Sequence, residues 1–165
     1  MPKWQIVTVI APATVTYGES FIWHRPLPRL QVGVALLWKQ GAFRGLGNYE
    51  LIPQTAKSPN LRIGFGLQGI GTGNPGYFAT SEKTLEGSVG IVTGYVGIGW
   101  RANEDHSHGL AGLKFTPKGQ PWTVGFQADG HSLHEFVTYQ TRDGWSIGAY
   151  LIESKMPGLM FSWGR

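Results

Sequence analysis

Large apolar residues and small or polar residues alternate with a period of two along most of this chain. In residues 61–68, Leu, Ile or Phe fills every second position, and Arg, Gly or Gln fills the positions between. A period of two places these two sets on opposite faces of a β-strand. The other segments with this alternation are 30–39, 92–101, 111–116, 122–127, 145–151 and 159–164. The pattern predicts a protein built from β-strands, with Leu61, Ile63, Phe65 and Leu67 sharing one face of the strand at 61–68.

Short turn signals separate the predicted strands in the C-terminal half. They lie at residues 117–120, 129–130, 142–144 and 157–158, and each contains Gly. Strands joined by turns this short pair antiparallel. We therefore predict an all-β fold, an antiparallel up-and-down meander of about ten strands closed into a barrel, as a single domain over residues 1–165.

The N-terminal half is less regular, because Pro26, Pro28, Pro53 and Pro59 interrupt it. Residues 71–87 are predicted to be the longest segment outside a strand. Within that segment, residues 81–86 are expected to form one helical turn or a loop.

Composition narrows the choice of environment. Charged residues make up 15% of the chain, whereas a soluble globular domain carries about 25%. Part of the surface is therefore expected to face something other than water. Large aromatic residues end several apolar faces, as they do at the interfaces of membrane barrels. These residues are Trp38, Trp100, Phe115, Trp122, Trp145 and Trp163.

Charge and cysteine content exclude several classes of protein. The formal net charge is +4, but the 14 Lys and Arg residues are scattered, so nucleic acid is not an expected partner. The chain has no Cys, which excludes disulfides and thiolate metal sites. The longest charge-free apolar stretch, residues 87–100, is too short for a membrane-spanning helix, which needs about 20 residues.

The alternation over residues 18–165 and the final segment, residues 158–165 with its aromatic Trp163, resemble the porin-like β-barrels of the bacterial outer membrane. The resemblance implies an apolar outer face, a polar lumen, a lipid bilayer as partner and small polar or anionic solutes as lumen contents. It implies a narrow pore or a membrane-anchored surface or structural protein, without catalytic activity and without a cofactor. On this reading Leu113, Val124, Ile147 and Phe161 point outward, and Lys114, Thr123 and Gly148 point inward.

Alternation alone leaves a second interpretation open. A soluble barrel or sandwich, secreted or periplasmic, would turn the same apolar faces into its core. Such a domain would be a binding module that holds a sugar or lipid-like ligand through its Trp and Tyr residues.

The sequence contains no complete motif for nucleotide binding or for a nucleophilic serine. Gly-x-Gly-x-x-Gly occurs twice, starting at Gly64 and Gly71, but no helix is predicted to follow and hold a pyrophosphate. A Gly-x-Ser-x-Gly nucleophile elbow is absent. We therefore expect no enzyme activity. A metal-dependent hydrolase built on the histidine loops is a third hypothesis, beside the membrane barrel and the soluble binding module.

The polar cluster that most resembles a binding site in the sequence contains histidines. Residues 104–108 read Glu-Asp-His-Ser-His, and His-x-His beside carboxylates can bind a divalent transition metal. In an up-and-down meander this loop and the turn at 128–131 share one end of the barrel. The candidate metal ligands are therefore His106, His108 and His131, and the alternative is a hydrated loop. Glu135, inside a predicted strand, is expected either in a polar lumen or on a plain exposed face.

Overall fold

The computed structural model describes residues 2–165 and is a single closed, antiparallel β-barrel. Each strand pairs with its neighbours in sequence, and the last strand pairs with the first to close the barrel. The strands are β1 Trp4–Ile10, β2 Gly18–Leu27, β3 Leu30–Leu37, β4 Ala42–Ile52, β5 Leu61–Leu67, β6 Pro75–Glu86, β7 Gly90–Arg101, β8 Ser107–Pro117, β9 Trp122–Ala128, β10 Leu133–Gln140, β11 Trp145–Ile152 and β12 Met156–Gly164. No helix within residues 2–165 has the length and apolar character needed to cross a membrane.

The predicted all-β antiparallel meander is confirmed, but the barrel has twelve strands and not about ten. The prediction that residues 71–87 form the longest segment outside a strand is wrong, because residues 75–86 form β6, and residues 81–86, expected to be a helical turn or a loop, are the second half of this strand. Their sequence, Ser-Glu-Lys-Thr-Leu-Glu, shows little apolar alternation. Pairing with β7 along the whole of this segment makes it a strand.

The connection between β4 and β5, residues 53–60, covers the other edge of this half of β6. Pairing between β5 and β6 stops at Thr80. Beyond it, the Gln54 side-chain amide exchanges two hydrogen bonds with the backbone of Thr84, at 2.9 and 2.7 Å. The Lys83 amine donates to three carbonyls of the connection, those of Thr55, Ala56 and Ser58. The β4–β5 connection therefore takes the place of a neighbouring strand.

The strand register places the apolar positions of neighbouring strands on the same face of the barrel. In β5, Ile63 and Phe65 are exposed on the outer face, while Gly66, between Phe65 and Leu67, is buried. Leu113 pairs with Phe126 on one side and with Gly94 on the other. The outer face is thus apolar, as the alternation at 61–68 predicts, while the inner face combines small and polar residues with aromatic ones such as Trp23, Phe78 and Tyr95.

The connections alternate between the two ends of the barrel. One end, here called the histidine end, carries residues 11–17, 38–41, 68–74, 102–106, 129–132 and 153–155. The opposite end carries residues 28–29, 53–60, 87–89, 118–121 and 141–144.

The β5–β6 connection, residues 68–74, folds into the barrel and closes the histidine end. Ile70 packs against Val9 of β1, Ala11 in the connection after β1, and Ile152 of β11. These three residues lie on the far side of the barrel from β5 and β6. The carbonyl of Gly71 accepts a hydrogen bond from the Thr16 backbone N–H at 3.3 Å. The small apolar core of the molecule therefore lies at this end, around the inserted connection.

Candidate functional site

The outer surface of the barrel is apolar. Leu113, Val124, Ile147 and Phe161 all point outward and are between 37% and 49% exposed. On the inner face, the hydroxyls of Thr123 and Thr116 hydrogen-bond at 2.6 Å, Gly148 is buried, and Lys114 lines a lumen cavity. The predicted directions of these seven residues are confirmed.

Outward-facing aromatic residues gather near both ends of the barrel. Those near the histidine end are Tyr17, Trp38, Phe43, Tyr77 and Trp100, and those near the opposite end are Trp4, Tyr49, Trp122, Tyr139 and Trp145. All ten are exposed. Strand-end aromatics that the alternation singled out, such as Trp38 and Trp145, therefore belong to two rings on either side of an apolar band.

A buried polar layer lies beneath the surface of the histidine end, with Asp129 at its centre. The Asp129 Oδ1 accepts the backbone N–H groups of His131 and Ser132, each at 2.9 Å. Its Oδ2 accepts hydrogen bonds from Arg101 Nη2 and His134 Nε2, both at 3.2 Å. Burial alone would raise the pKa of Asp129, but the hydrogen bonds from His134 and the two backbone N–H groups hold that pKa well below its usual range.

His134 is a structural member of this layer. Its side chain is fully buried, and its Nδ1 accepts the backbone N–H of Glu153 at 3.1 Å. The proton of the neutral ring therefore sits on Nε2, which donates to Asp129. Because both ring nitrogens are occupied, His134 has no lone pair to offer a metal or a substrate.

Glu104 lies at the centre of a second cluster, nearer the surface of the same end. Its Oε1 is 2.8 Å from His131 Nε2. Its Oε2 is 3.8 Å from His106 Nε2 and 3.6 Å from His108 Nδ1. The structure thus brings together the three histidines predicted as ligands and adds Glu104, whose role spacing alone did not single out.

His108 is the buried member of this cluster. Its side chain is 5% exposed, and its ring stands edge-on to that of His131 with centroids 4.9 Å apart. Neither ring nitrogen of His108 has a hydrogen-bond partner, and the buried Oε2 of Glu104 lacks one as well. Buried polar atoms without partners are uncommon and call for a physical explanation.

Glu135 does not face the lumen. Its neighbours across the ladder are Leu151 and Phe126, which are exposed on the outer face. The Ser154 hydroxyl donates to Glu135 Oε1 at 2.8 Å. Of the two positions expected for Glu135, the lumen is therefore excluded, because the period of two puts Glu135 on the same outer face as Val137.

Two cavities of several hundred Å³ lie in the lumen, and a third of about 40 Å³ lies among Asn48, Glu50 and Arg62 toward the opposite end. One of the two larger cavities, of about 350 Å³, lies below the β5–β6 connection and reaches Glu19, Gln68 and Asp129. The other, of about 470 Å³, is lined by Glu82, Lys114 and four threonines among other residues. Tyr95 and Gln127 line both of the larger cavities. The interior therefore combines polar side chains with aromatic and aliphatic ones.

The sequence matches no protein-family model and no curated protein. Three features of the molecule bear on its function: the apolar outer face with two aromatic rings, the lumen closed at the histidine end, and the Glu104 cluster.

Proposed function

We propose that this chain is a bacterial outer-membrane β-barrel that is anchored in the bilayer and has no catalytic activity. The observation that carries the proposal is the outer face, an apolar band between two rings of exposed aromatic residues. A soluble barrel buries its large apolar residues inside, whereas a membrane barrel shows them to lipid. Here the buried apolar residues are few, namely Val9, Ala11, Ala35, Leu37, Leu46 and Ile152.

The six longer strands, of 9–12 residues, support the same function. The other six have 7 or 8 residues, fewer than the about 9–11 of a spanning strand. β8 has 11 residues; at about 3.3 Å per residue and a tilt of about 45° it spans about 23 Å. That height is close to the apolar band of about 25 Å on known membrane barrels. The even number of strands also agrees with bacterial barrels made from one chain.

Several polar side chains on the outer face have hydrogen-bond partners, as an apolar solvent requires, although Glu135 Oε2 and His24 Nδ1 lack one. Ser20 bonds to Thr8 at 3.2 Å and accepts the indole N–H of Trp38 at 3.0 Å. Ser81 donates to the Asn60 carbonyl at 2.9 Å, and Lys83 is held by the β4–β5 connection.

The closed histidine end supports an anchored protein more strongly than an open pore. The β5–β6 connection crosses the lumen, and the Asp129 layer fills the space beside it. Small polar or anionic solutes would enter from the opposite end and meet the cavity that holds Lys114. That cavity, which also contains Tyr95 and Tyr150, is the feature that favours the second candidate function, a soluble module that binds a sugar or lipid-like ligand.

Flotation with lipid vesicles tests the proposal. The chain is refolded with phosphatidylcholine–phosphatidylglycerol vesicles, washed with alkaline carbonate and centrifuged through a density gradient. We expect it to float with the vesicles after the wash, and to aggregate when refolded without lipid or detergent. A monomer that stays in free solution without detergent and does not float would overturn the membrane proposal in favour of the soluble module.

A further inference from the structure

The Glu104 cluster has the donor set and the spacing of a metal site. The side-chain donor atoms of Glu104, His106 and His131 all lie within 4.8 Å of one another. In a tetrahedral zinc site with bonds of 2.0–2.1 Å, neighbouring donor atoms are about 3.3 Å apart. Each histidine lies at a comparable distance from one or the other oxygen of Glu104: 2.8 Å from Oε1 for His131, and 3.8 and 3.6 Å from Oε2 for His106 and His108.

The buried side chain of His108 is an independent sign of a missing ligand. It is 95% removed from solvent, and both its nitrogens lack a hydrogen bond. Its Nδ1 points to the Oε2 of Glu104, which is also buried and has no hydrogen-bond partner. An unsatisfied buried polar group costs free energy, and a cation between this nitrogen and this oxygen would satisfy both.

We propose that Glu104, His106, His108 and His131 bind one divalent transition-metal ion of the zinc class. Three imidazoles and a carboxylate suit zinc, whereas a site for Mg²⁺ or Ca²⁺ would be built of oxygen donors. His106 is exposed and His131 partly so, which leaves the cluster accessible from outside the barrel. The fourth histidine at this end, His134, is excluded because both its nitrogens are already bonded.

Four protein donors make a closed site, and closed sites are structural. Three of the donors come from the β7–β8 hairpin and the fourth, His131, comes from the β9–β10 connection. The ion would therefore join two neighbouring connections above the Asp129 layer and hold the histidine end shut. This inference does not depend on whether the outer face meets lipid or water.

Titration calorimetry with Zn²⁺ alone tests the site on the full chain, refolded in detergent. We expect one ion per chain for the unaltered protein. Glu104→Gln and the double change His106→Ala, His131→Ala should each weaken binding at least tenfold, because loss of even an outer-shell partner costs about 10–100-fold. The matched control is His24→Ala, which removes the histidine stacked on Trp4 at the opposite end and should bind as the unaltered protein does.

Two further measurements separate a metal site from a histidine ion-pair cluster. Co²⁺ in place of Zn²⁺ should give the intense visible bands of tetrahedral coordination, and these bands should be lost in His108→Gln. Zn²⁺ should also raise the Tm of the unaltered protein but not that of the double variant. Equal heats from the unaltered protein and Glu104→Gln, or an octahedral Co²⁺ spectrum, would overturn the proposal. Because His106 is exposed, the His106→Ala change alone keeps the test valid if His108→Gln does not fold.

Discussion

The substitution Leu113→Arg places a charge in the middle of the apolar outer band. The stability that it removes distinguishes lipid from water as the medium around the barrel. Leu113 is 43% exposed. It is six residues from Ser107, which pairs with Trp100 of the aromatic ring at the histidine end, and four from Pro117 at the end of β8. With the rise and tilt used above, these separations are about 14 and 9 Å of depth. Leu113 is therefore near the middle of the band.

The two environments give different magnitudes for this change. Arginine on the lipid face near the bilayer midplane costs about 2–4 kcal/mol, which is a factor of about 30 to 1,000 in the unfolding equilibrium. On a surface in water the same substitution changes the free energy of unfolding by about 0.5 kcal/mol or less. The structure with its apolar outer band predicts the larger loss.

Denaturant unfolding of the refolded protein in lipid vesicles measures the loss. The matched control is Val89→Arg, because Val89 is 72% exposed but lies in the turn between β6 and β7, outside the band. We expect Leu113→Arg to lower the free energy of unfolding by about 2–4 kcal/mol and Val89→Arg to leave it almost unchanged. Indistinguishable values for the two variants would refute the reasoning.

Three further predictions concern the two ends of the barrel. Asp129→Asn should lower the free energy of unfolding by about 3 kcal/mol, because it leaves Arg101 and His134 facing an amide. The control Asp143→Asn, in an exposed turn, should change that free energy by less than about 0.5 kcal/mol. Equal effects of the two substitutions would contradict the role given to the Asp129 layer. Gly130→Ala should lower the Tm more than Gly119→Ala does. Both glycines have positive φ, but a Cβ at Gly130 would lie 2.6 Å from His108, whereas a Cβ at Gly119 meets nothing within 4 Å. A larger drop in Tm for Gly119→Ala would argue against this packing. Lys83→Met should speed tryptic cleavage after Lys57, because three carbonyls of the β4–β5 connection lose their donor, while Lys118→Met should leave that cleavage rate as it is.

Sequence reasoning was most successful where local chemistry decides the structure. The period of two assigns faces without any knowledge of partners, so the outward directions of Leu113 and Phe161 followed from the sequence alone. The short turn at Asp129-Gly130 makes the strands on either side antiparallel. Counting strands from it placed His131 at the same end as His106, and the structure brings them to a common carboxylate.

It was least successful where partners distant in sequence decide the structure. Lys83 is polar on a strand that lacks clear alternation, and only its contacts with residues 55–58, 25 or more positions away, explain its place. The inward fold of residues 68–74 depends on the packing of Ile70 against β1 and β11. Glu135 was open to two interpretations because a carboxylate can face a polar lumen or a partner on the outside, and Ser154 provides the partner.

The central claim is that lipid surrounds the outer face. It is tested most directly by measuring how readily oxygen and a water-soluble nickel chelate reach single spin labels at neighbouring outward and inward positions. The chain has no Cys, so single cysteines can be placed at Leu113, Val124 and Ile147 and at their inward neighbours Lys114, Thr123 and Gly148 without background labelling. In vesicles, nitroxides at the first three sites should collide often with oxygen, which dissolves in lipid, and rarely with a water-soluble nickel chelate, and the inward sites should collide less with oxygen than their outward neighbours. Ready collision of the nickel chelate with labels at Leu113, Val124 and Ile147 would contradict the account.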